Sequence, residues 1–288
     1  MNIQEYIIDD NGSFEPKHIF ECGQCFRWNK QPDESYIGVF EGNVVSVKKQ
    51  DKKVIFRGIC KDNIKDICEE YFDLGRDYKE IKKKLSLVDE FLKKSIDYGN
   101  GIRILNQNLW ECIISFIISA NNNIPRIKKI IEKLSSEYGD KICYEGKDYF
   151  TFPTPEQLSK ATVEDLRRLG LGFRDVRVYN TTKMILEKQV DLEKLEALNN
   201  SESIREELLR LDGVGPKVAD CIMLFSTLKR LDVFPIDVWV RRVMNELYIK
   251  AEDETKINKK EITKLAQDKY KDLAGIAQQY LFYWKREA

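Results

Sequence analysis

A lysine and an aspartate twenty residues apart carry the clearest chemical potential in this chain. Lys217 follows Gly213-Val-Gly-Pro, and Asp237 follows Phe234-Pro-Ile. The amphipathic stretch Ile204, Leu208, Leu209, Leu211 ends at the two glycines, and an apolar helix then opens with Pro216 at its first position. This is the pattern of a helix-hairpin-helix, expected over about 204–228. Gly213 and Gly215 allow a sharp turn and leave nothing between the backbone N–H groups and an approaching anion, which the positive end of the second helix also attracts. A phosphate of DNA is the natural anion. Lys217 falls in the first turn of that helix, where the dipole and nearby arginines are expected to disfavour its charged form and leave free amine, a potential nucleophile.

Plainer roles exist for each residue. Asp237 precedes the apolar-periodic run Val238-Trp-Val-Arg-Arg-Val243, as an ordinary helix N-cap does. Capping and chemistry are compatible, because a cap holds its carboxylate rigidly where it can also face positive charge on a sugar. Lys217 alone would be a solvated surface lysine, and the glycines alone a simple connection between helices. Their combination is what points to a site.

Composition bounds the partners. The 288 residues are 42% hydrophobic, enough for one large core or two linked ones. Lys and Arg number 48 against 48 Asp and Glu, so any attraction to a polyanion is local. Even Arg205 to Arg242 holds seven basic and six acidic residues, net +1, which puts the weight on placement and backbone N–H groups. Candidate basic clusters are Lys82–Lys84, Lys128–Lys129, Arg167–Arg168 with Arg174 and Arg177, and Arg241–Arg242, though such a cluster is more often just a solvated helix face. No apolar run reaches the roughly 18 to 20 residues of a membrane span, and Met1-Asn-Ile-Gln-Glu-Tyr6 lacks the pattern of a signal peptide, so no membrane association and a cytoplasmic location are expected. The seven scattered cysteines fit reduced thiols. Cys22-Gly-Gln-Cys25 imitates a metal pair, but the single histidine, His18, and the lack of a second close cysteine pair leave it without partners. One histidine also makes a histidine-dependent catalytic triad improbable.

The elements that must position the site divide in two. Cys25–Trp28, Tyr36–Phe40, Val44–Val47 and Val54–Phe56 are short β-rich runs separated by turns, which predicts an antiparallel meander with a helix from near Asp62 packed on it. From about Asp89 the periodicity is helical: 110–119, 125–138, 164–169, 175–187, 203–211, 216–228, 237–248 and 258–285, the last broken near Gly275. The expected class is α+β: a small N-terminal antiparallel sheet domain, 1–88, and a larger all-helical domain, 89–288. The last helix is expected to pack back toward the sheet, with the site in the cleft between the two.

Six ordered blocks give the chain a family resemblance. Gly213-Val-Gly-Pro-Lys217 with Phe234-Pro-Ile-Asp237 resembles the signature of the helix-hairpin-helix base-excision DNA glycosylases. Lys217-Val-Ala-Asp-Cys221, Asn121-Asn-Asn-Ile-Pro-Arg126, Leu169-Gly-Leu-Gly-Phe-Arg174, Cys22-Gly-Gln-Cys-Phe-Arg-Trp28 and Ala277-Gln-Gln-Tyr-Leu-Phe282 resemble the 8-oxoguanine DNA glycosylase/lyases within that superfamily. The resemblance implies a DNA glycosylase/AP lyase acting on double-stranded DNA that contains 8-oxoguanine, expected to be a monomer without a cofactor. Lys217 would be the nucleophile and Asp237 the stabiliser of charge. Phe282 and Cys221 would sandwich the flipped purine, Gln278 would face its Watson–Crick edge, and the Gly23 carbonyl would accept the N7 hydrogen that guanine lacks. Asn121, Arg126 and Arg174 would fill the vacated space and bond the orphaned cytosine, with Phe173 as wedge. Gly213, Gly215 and Val218 would meet the DNA backbone, and the main-chain carbonyls of Leu209, Leu211 and Val214 would hold a structural cation. No iron–sulfur cluster is expected, since no cysteine follows Cys221.

Two residues depart from the animal pattern: Phe173 replaces a tyrosine and Trp239 a histidine near a phosphate, which implies a looser preference for the opposite base. Competing readings are a related glycosylase for alkylated bases or oxidised pyrimidines, and a non-catalytic damage-binding module. The alkyl-base enzymes lack the lysine, and a binding module needs neither Lys217 nor Asp237.

Overall fold

The computed structural model describes residues 2–287. Five antiparallel strands form the N-terminal sheet: β1 (Ile3–Asp9), β2 (Trp28–Lys30), β3 (Tyr36–Phe40), β4 (Asn43–Gln50) and β5 (Lys53–Ile59), in spatial order β1-β5-β4-β3-β2. Glu41 (φ +50°) and Gly42 (φ +77°) make the two-residue turn between β3 and β4, the geometry that the right-handed twist of paired strands favours. One sheet face, with Trp28, Tyr36, Val45, Val47, Val54 and Phe56, packs on Tyr71 and Phe72 of the helix Ile64–Tyr71 and its end.

The strand expectations hold for β3, β4 and β5 and need correction elsewhere. Cys25–Arg27 is a buried bend, and the strand starts only at Trp28. Strand β1 is an addition to the expected set: its outward face carries Ile3 and Ile7 beside Glu5 and Asp9, so apolar side chains occupy both faces and no apolar–polar alternation shows. A second small sheet, β6 (Lys141–Tyr144) with β7 (Lys147–Phe150), interrupts the helical part. Its Tyr144 packs on Ile37, Val39 and Val44, on the sheet's other face.

The helical part follows the expected periodicity closely, with helices at Leu109–Ser119, Ile124–Tyr138, Asp175–Leu186, Ser201–Leu209 and Pro216–Phe225. The long C-terminal segment breaks as anticipated, into Lys259–Tyr270 and Ala274–Glu287. The segment expected as one helix over 237–248 is α-helical only across Val238–Met244, then widens to a π turn that ends at Lys250 (φ +61°). One apolar core unites these helices with Cys22 and Phe26 of the N-terminal part. The final helix reaches back to the sheet part through Gln279 and Arg286, described below. Among the described residues no helix is long and apolar enough to cross a membrane.

Candidate active site

Three segments far apart in sequence converge on one narrow cleft. The helix Pro216–Phe225 contributes Lys217, Cys221 and Phe225, the final helix Gln278, Gln279 and Phe282, and the N-terminal part Cys22 and Gly23; Phe116, Pro235 and Asp237 complete the lining. Lys217 with Cys221, and Gln278 with Phe282, are each four residues apart and so share a helix face. All six residues assigned to catalysis or the base pocket therefore line the same space. Sequence reasoning missed Phe116 and Phe225, whose rings stack 5.7 Å apart, and Gln279. Their only signal was apolar or polar membership in a helix.

Lys217 is half-buried, its ammonium 5.6 Å from the centre of the Phe116 ring. The expected depression of its pKa is not found. The Cys221 thiol beside it raises the value, burial pulls the other way, and Asp237 adds to the rise. No arginine is among the causes: the neighbours of Lys217 are a thiol and a carboxylate. Burial also raises the Cys221 thiol.

Asp237 caps the helix Val238–Met244, one carboxylate oxygen accepting the Val240 N–H at 2.8 Å. The cap leaves its other oxygen free to face the cleft. Cys221 is buried and Gln278 is 5% exposed. The Gln278 Oε1 has no hydrogen-bond partner among the described residues, although it is shut away from solvent. Buried acceptors are rarely left so, and Gln278 is one of the residues that line the cleft. Gly23 has φ +86°, a left-handed conformation that suits glycine, and the Phe282 ring lies 3.6 Å from where a Cβ would stand. The cleft encloses only about 40 Å³, room for a water or two and not for a purine.

The hairpin is built as expected, with one correction. Gly213 (φ +84°) makes the turn, but Gly215 is the N-cap of the second helix at φ −97°, which any residue adopts. What glycine supplies at 215 is a bare surface, since nothing lies within 4 Å of its would-be Cβ. No acceptor for the N–H groups of Gly215, Lys217 and Val218 is found among the described residues, which leaves three donors at a helix N-terminus. Asn180 and Thr181 hold the turn through the side chain and carbonyl of Asp212, at 2.7 and 2.8 Å. Arg205 ties the two helices by a bond of 2.7 Å to Asp220. Of the carbonyls implied for a cation, that of Leu211 accepts the Val214 N–H at 3.2 Å, while those of Leu209 and Val214 accept none. Two uncommitted oxygens on one turn fit a main-chain-held ion. Among the described residues no group of three His, Cys, Asp or Glu side chains is placed to hold a metal.

The residues assigned to the vacated space also gather. Phe173 is 54% exposed, with the guanidinium carbons of Arg174 and Arg177 at 4.2 and 5.3 Å from its ring centre. Asn121 is exposed and left-handed at φ +51°. Arg126 is exposed, with one bond of 3.2 Å to the Gly170 carbonyl. Arg174 differs from expectation: it is 2% exposed, and it donates to the carbonyls of Ala120, Asn121 and Leu171 at 2.6 to 3.1 Å. Its donors close the end of the helix Leu109–Ser119 and so shape the Asn121 loop. Trp239 is half exposed, beside Arg242 at 5.7 Å.

A cleft with a lysine, a capping aspartate and a helix-hairpin-helix defines a class, and comparison with known proteins agrees. Residues 114–271 match the HhH-GPD superfamily base excision DNA repair proteins, and residues 7–113 match the 8-oxoguanine DNA glycosylase N-terminal domain. The chain is 34% identical to the N-glycosylase/DNA lyase of Saccharomyces cerevisiae over 257 residues, covering 80% of this chain and 67% of that protein. Its structure superposes on the Clostridium acetobutylicum 8-oxoguanine glycosylase/lyase, solved with double-stranded DNA containing cytosine opposite 8-oxoG, at a TM-score of 0.92 and 44% identity, over 100% of this chain and 98% of that one. A 3-methyladenine DNA-glycosylase from Archaeoglobus fulgidus shares the fold, at a TM-score of 0.77 and 21% identity over 98% and 99% of the chains. This protein belongs to the 8-oxoguanine DNA glycosylase/lyase family of the helix-hairpin-helix superfamily.

Proposed function

We propose that this protein excises 8-oxoguanine from duplex DNA with Lys217 as nucleophile and then nicks the abasic strand. The observation that carries the reading is the convergence of Lys217 and Asp237 with Gly23, Cys221, Gln278 and Phe282 in one cleft. The solved Clostridium relative, bound to DNA with cytosine opposite 8-oxoG, supports the same substrate class.

Extrusion of a base costs a few kcal/mol, and Phe173, Asn121 and Arg126 offset it by occupying the gap. The hairpin N–H groups hold the strand by a phosphate. The base enters as the lining side chains give way, stacks on Phe282 and meets Cys221 on its other face. Gly23 accepts the N7 hydrogen of 8-oxoguanine. Guanine carries a lone pair there and leaves two acceptors facing each other, so a single hydrogen bond bears the discrimination. The orphan Gln278 oxygen accepts from the Watson–Crick edge.

The neutral amine of Lys217 then attacks C1′. The glycosidic bond breaks with its electron pair on the base, which takes up the proton the amine gives up. Asp237 stabilises the positive charge developing on the sugar. Opening of the sugar ring turns the adduct into a Schiff base. Loss of a C2′ proton then expels the 3′ phosphate, and the strand is nicked. Because Asp237 favours the ammonium, the amine must shed its proton before attack.

Borohydride trapping tests the reading. The protein is expected to form a covalent complex with duplex containing 8-oxoguanine, and Lys217→Gln to bind the DNA without trapping or nicking. Comparable excision of 3-methyladenine or thymine glycol, or trapping by Lys217→Gln, refutes it. The alkyl-base reading has only the shared fold in its favour and leaves Lys217 without a role.

A further inference from the structure

Four successive carbonyls run through the turn that brings Gly23 to the cleft, and three of them are held. Arg286 donates to the carbonyl of Glu21, Gln279 to that of Cys22 at 2.6 Å, and Gln107 to that of Gln24 at 2.8 Å. Gly23 lies between them, and its carbonyl accepts no hydrogen bond among the described residues. The Gln24 side chain pins the segment further, donating to the carbonyls of Ile19 and Arg103 and accepting from the Leu105 N–H. Two of the three ties come from the final helix, where residues 279 and 286 bracket Phe282. Arg286 also lies against that ring, its guanidinium carbon 5.1 Å from the centre, and its Nη1 is 3.1 Å from where a Gly23 Cβ would stand.

We infer that Arg286, together with Gln279, is a specificity-determining positioning residue: it fixes the Glu21–Cys22–Gly23 turn so that the Gly23 carbonyl cannot swing away from the bound base. The inference rests on the reading of Gly23 as the acceptor for 8-oxoguanine. Discrimination by one acceptor needs rigidity more than strength. A carbonyl free to turn aside relieves its clash with the guanine N7 lone pair and tolerates the wrong base, whereas a tethered one keeps both the good bond and the repulsion. The ties act on main-chain atoms beside the acceptor and touch neither Lys217 nor the sugar.

The test separates recognition from chemistry. In a Lys217→Gln background, binding to duplexes with 8-oxoguanine or guanine opposite cytosine gives an affinity ratio. Arg286→Ala is expected to lower that ratio about tenfold, equivalent to about 1.4 kcal/mol, and Arg286→Lys to recover part of it, since an ammonium still donates to the Glu21 carbonyl. Gln279→Met, nearly the same size but without a donor, is expected to act in the same direction. Strand nicking at a preformed abasic site, which needs no base in the pocket, should keep its rate in the Arg286 variants with Lys217 intact. An unchanged ratio in Arg286→Ala overturns the inference, as does a parallel fall of ratio and abasic-site nicking, the mark of general disruption. If the protein with Arg286 and Gln279 intact shows no preference for 8-oxoguanine, the functional reading fails first and the inference falls with it. A preference that survives both substitutions sinks the inference alone.

Discussion

Replacing Asp237 by asparagine separates the two roles that sequence could not. The carboxylate accepts the Val240 N–H at 2.8 Å and caps the helix Val238–Met244. Asparagine caps about as well as aspartate, because its carbonyl oxygen accepts the same bond, while alanine loses about 1 kcal/mol. For a chain of this size that is a fall of roughly 2–4 °C in Tm, expected for Asp237→Ala and absent from Asp237→Asn. The charge is another matter. Fixed groups aimed at charge that develops in a transition state are worth roughly 3–4 kcal/mol each, or 10² to 10³ in rate. Both variants should therefore lose about that factor in single-turnover excision of 8-oxoguanine. The effect on Lys217 runs the opposite way: Asp237 is one of the groups that raises the lysine pKa, so its removal leaves more free amine and by itself speeds attack. The measured loss then understates the stabilisation. Excision within about threefold of the parent in Asp237→Asn, with Tm unchanged, would show that Asp237 is a cap and nothing more.

Further outcomes follow from particular geometries. Gly213→Ala forces a left-handed alanine at φ +84° and is expected to cost about 1–2 kcal/mol of stability in chemical denaturation, whereas Gly215→Ala, at φ −97° with open space around it, should leave stability unchanged and weaken only DNA binding. Because the neighbours of Lys217 raise its pKa, the amine stays protonated to higher pH, so kcat/KM for nicking a preformed abasic site should climb steadily between pH 6 and 9; a plateau near pH 7 would show a depressed amine instead. Excision measured opposite C, A, G and T should favour cytosine and flatten in Arg126→Ala, whose side chain holds one bond and keeps donors free. Arg174→Ala should instead lower stability by more than about 2 kcal/mol, since it strips the partners of three main-chain carbonyls.

The site was legible in the sequence to the extent that local rules built it. Lys217 with Cys221 and Gln278 with Phe282 share faces through helical spacing, and the turn at Gly213 and the cap at Asp237 announce themselves by residue type. The fold was legible where short β-rich runs lie between turns, as in β3 and β4, or alternate buried and exposed residues, as in β5, and where helices are amphipathic. It failed at β1, where apolar and polar residues mix on each face. Ile3 and Ile7 point outward on β1 while Tyr6 and Ile8 point in, which erases the alternation. The hairpin β6–β7 was missed for a different reason: its strands are four residues each and find their apolar partners on the distant sheet.

What remained hidden is tertiary. The pKa of Lys217 depends on which side chains surround it, and the basic residues near it in sequence turned out to lie elsewhere, leaving Cys221 and Asp237. Arg174 shows the same limit from the other side. Its place beside Phe173 marks it for DNA, but its burial and its bonds to Ala120, Asn121 and Leu171 make it the brace of the Asn121 loop in this structure. A guanidinium so committed has one N–H left and lies 2% exposed, whereas Arg126 is exposed with a single side-chain bond. On this geometry Arg126→Ala is expected to flatten the opposite-base preference directly, and a conservative change at Arg174 to act only through the shape of the loop that carries Asn121.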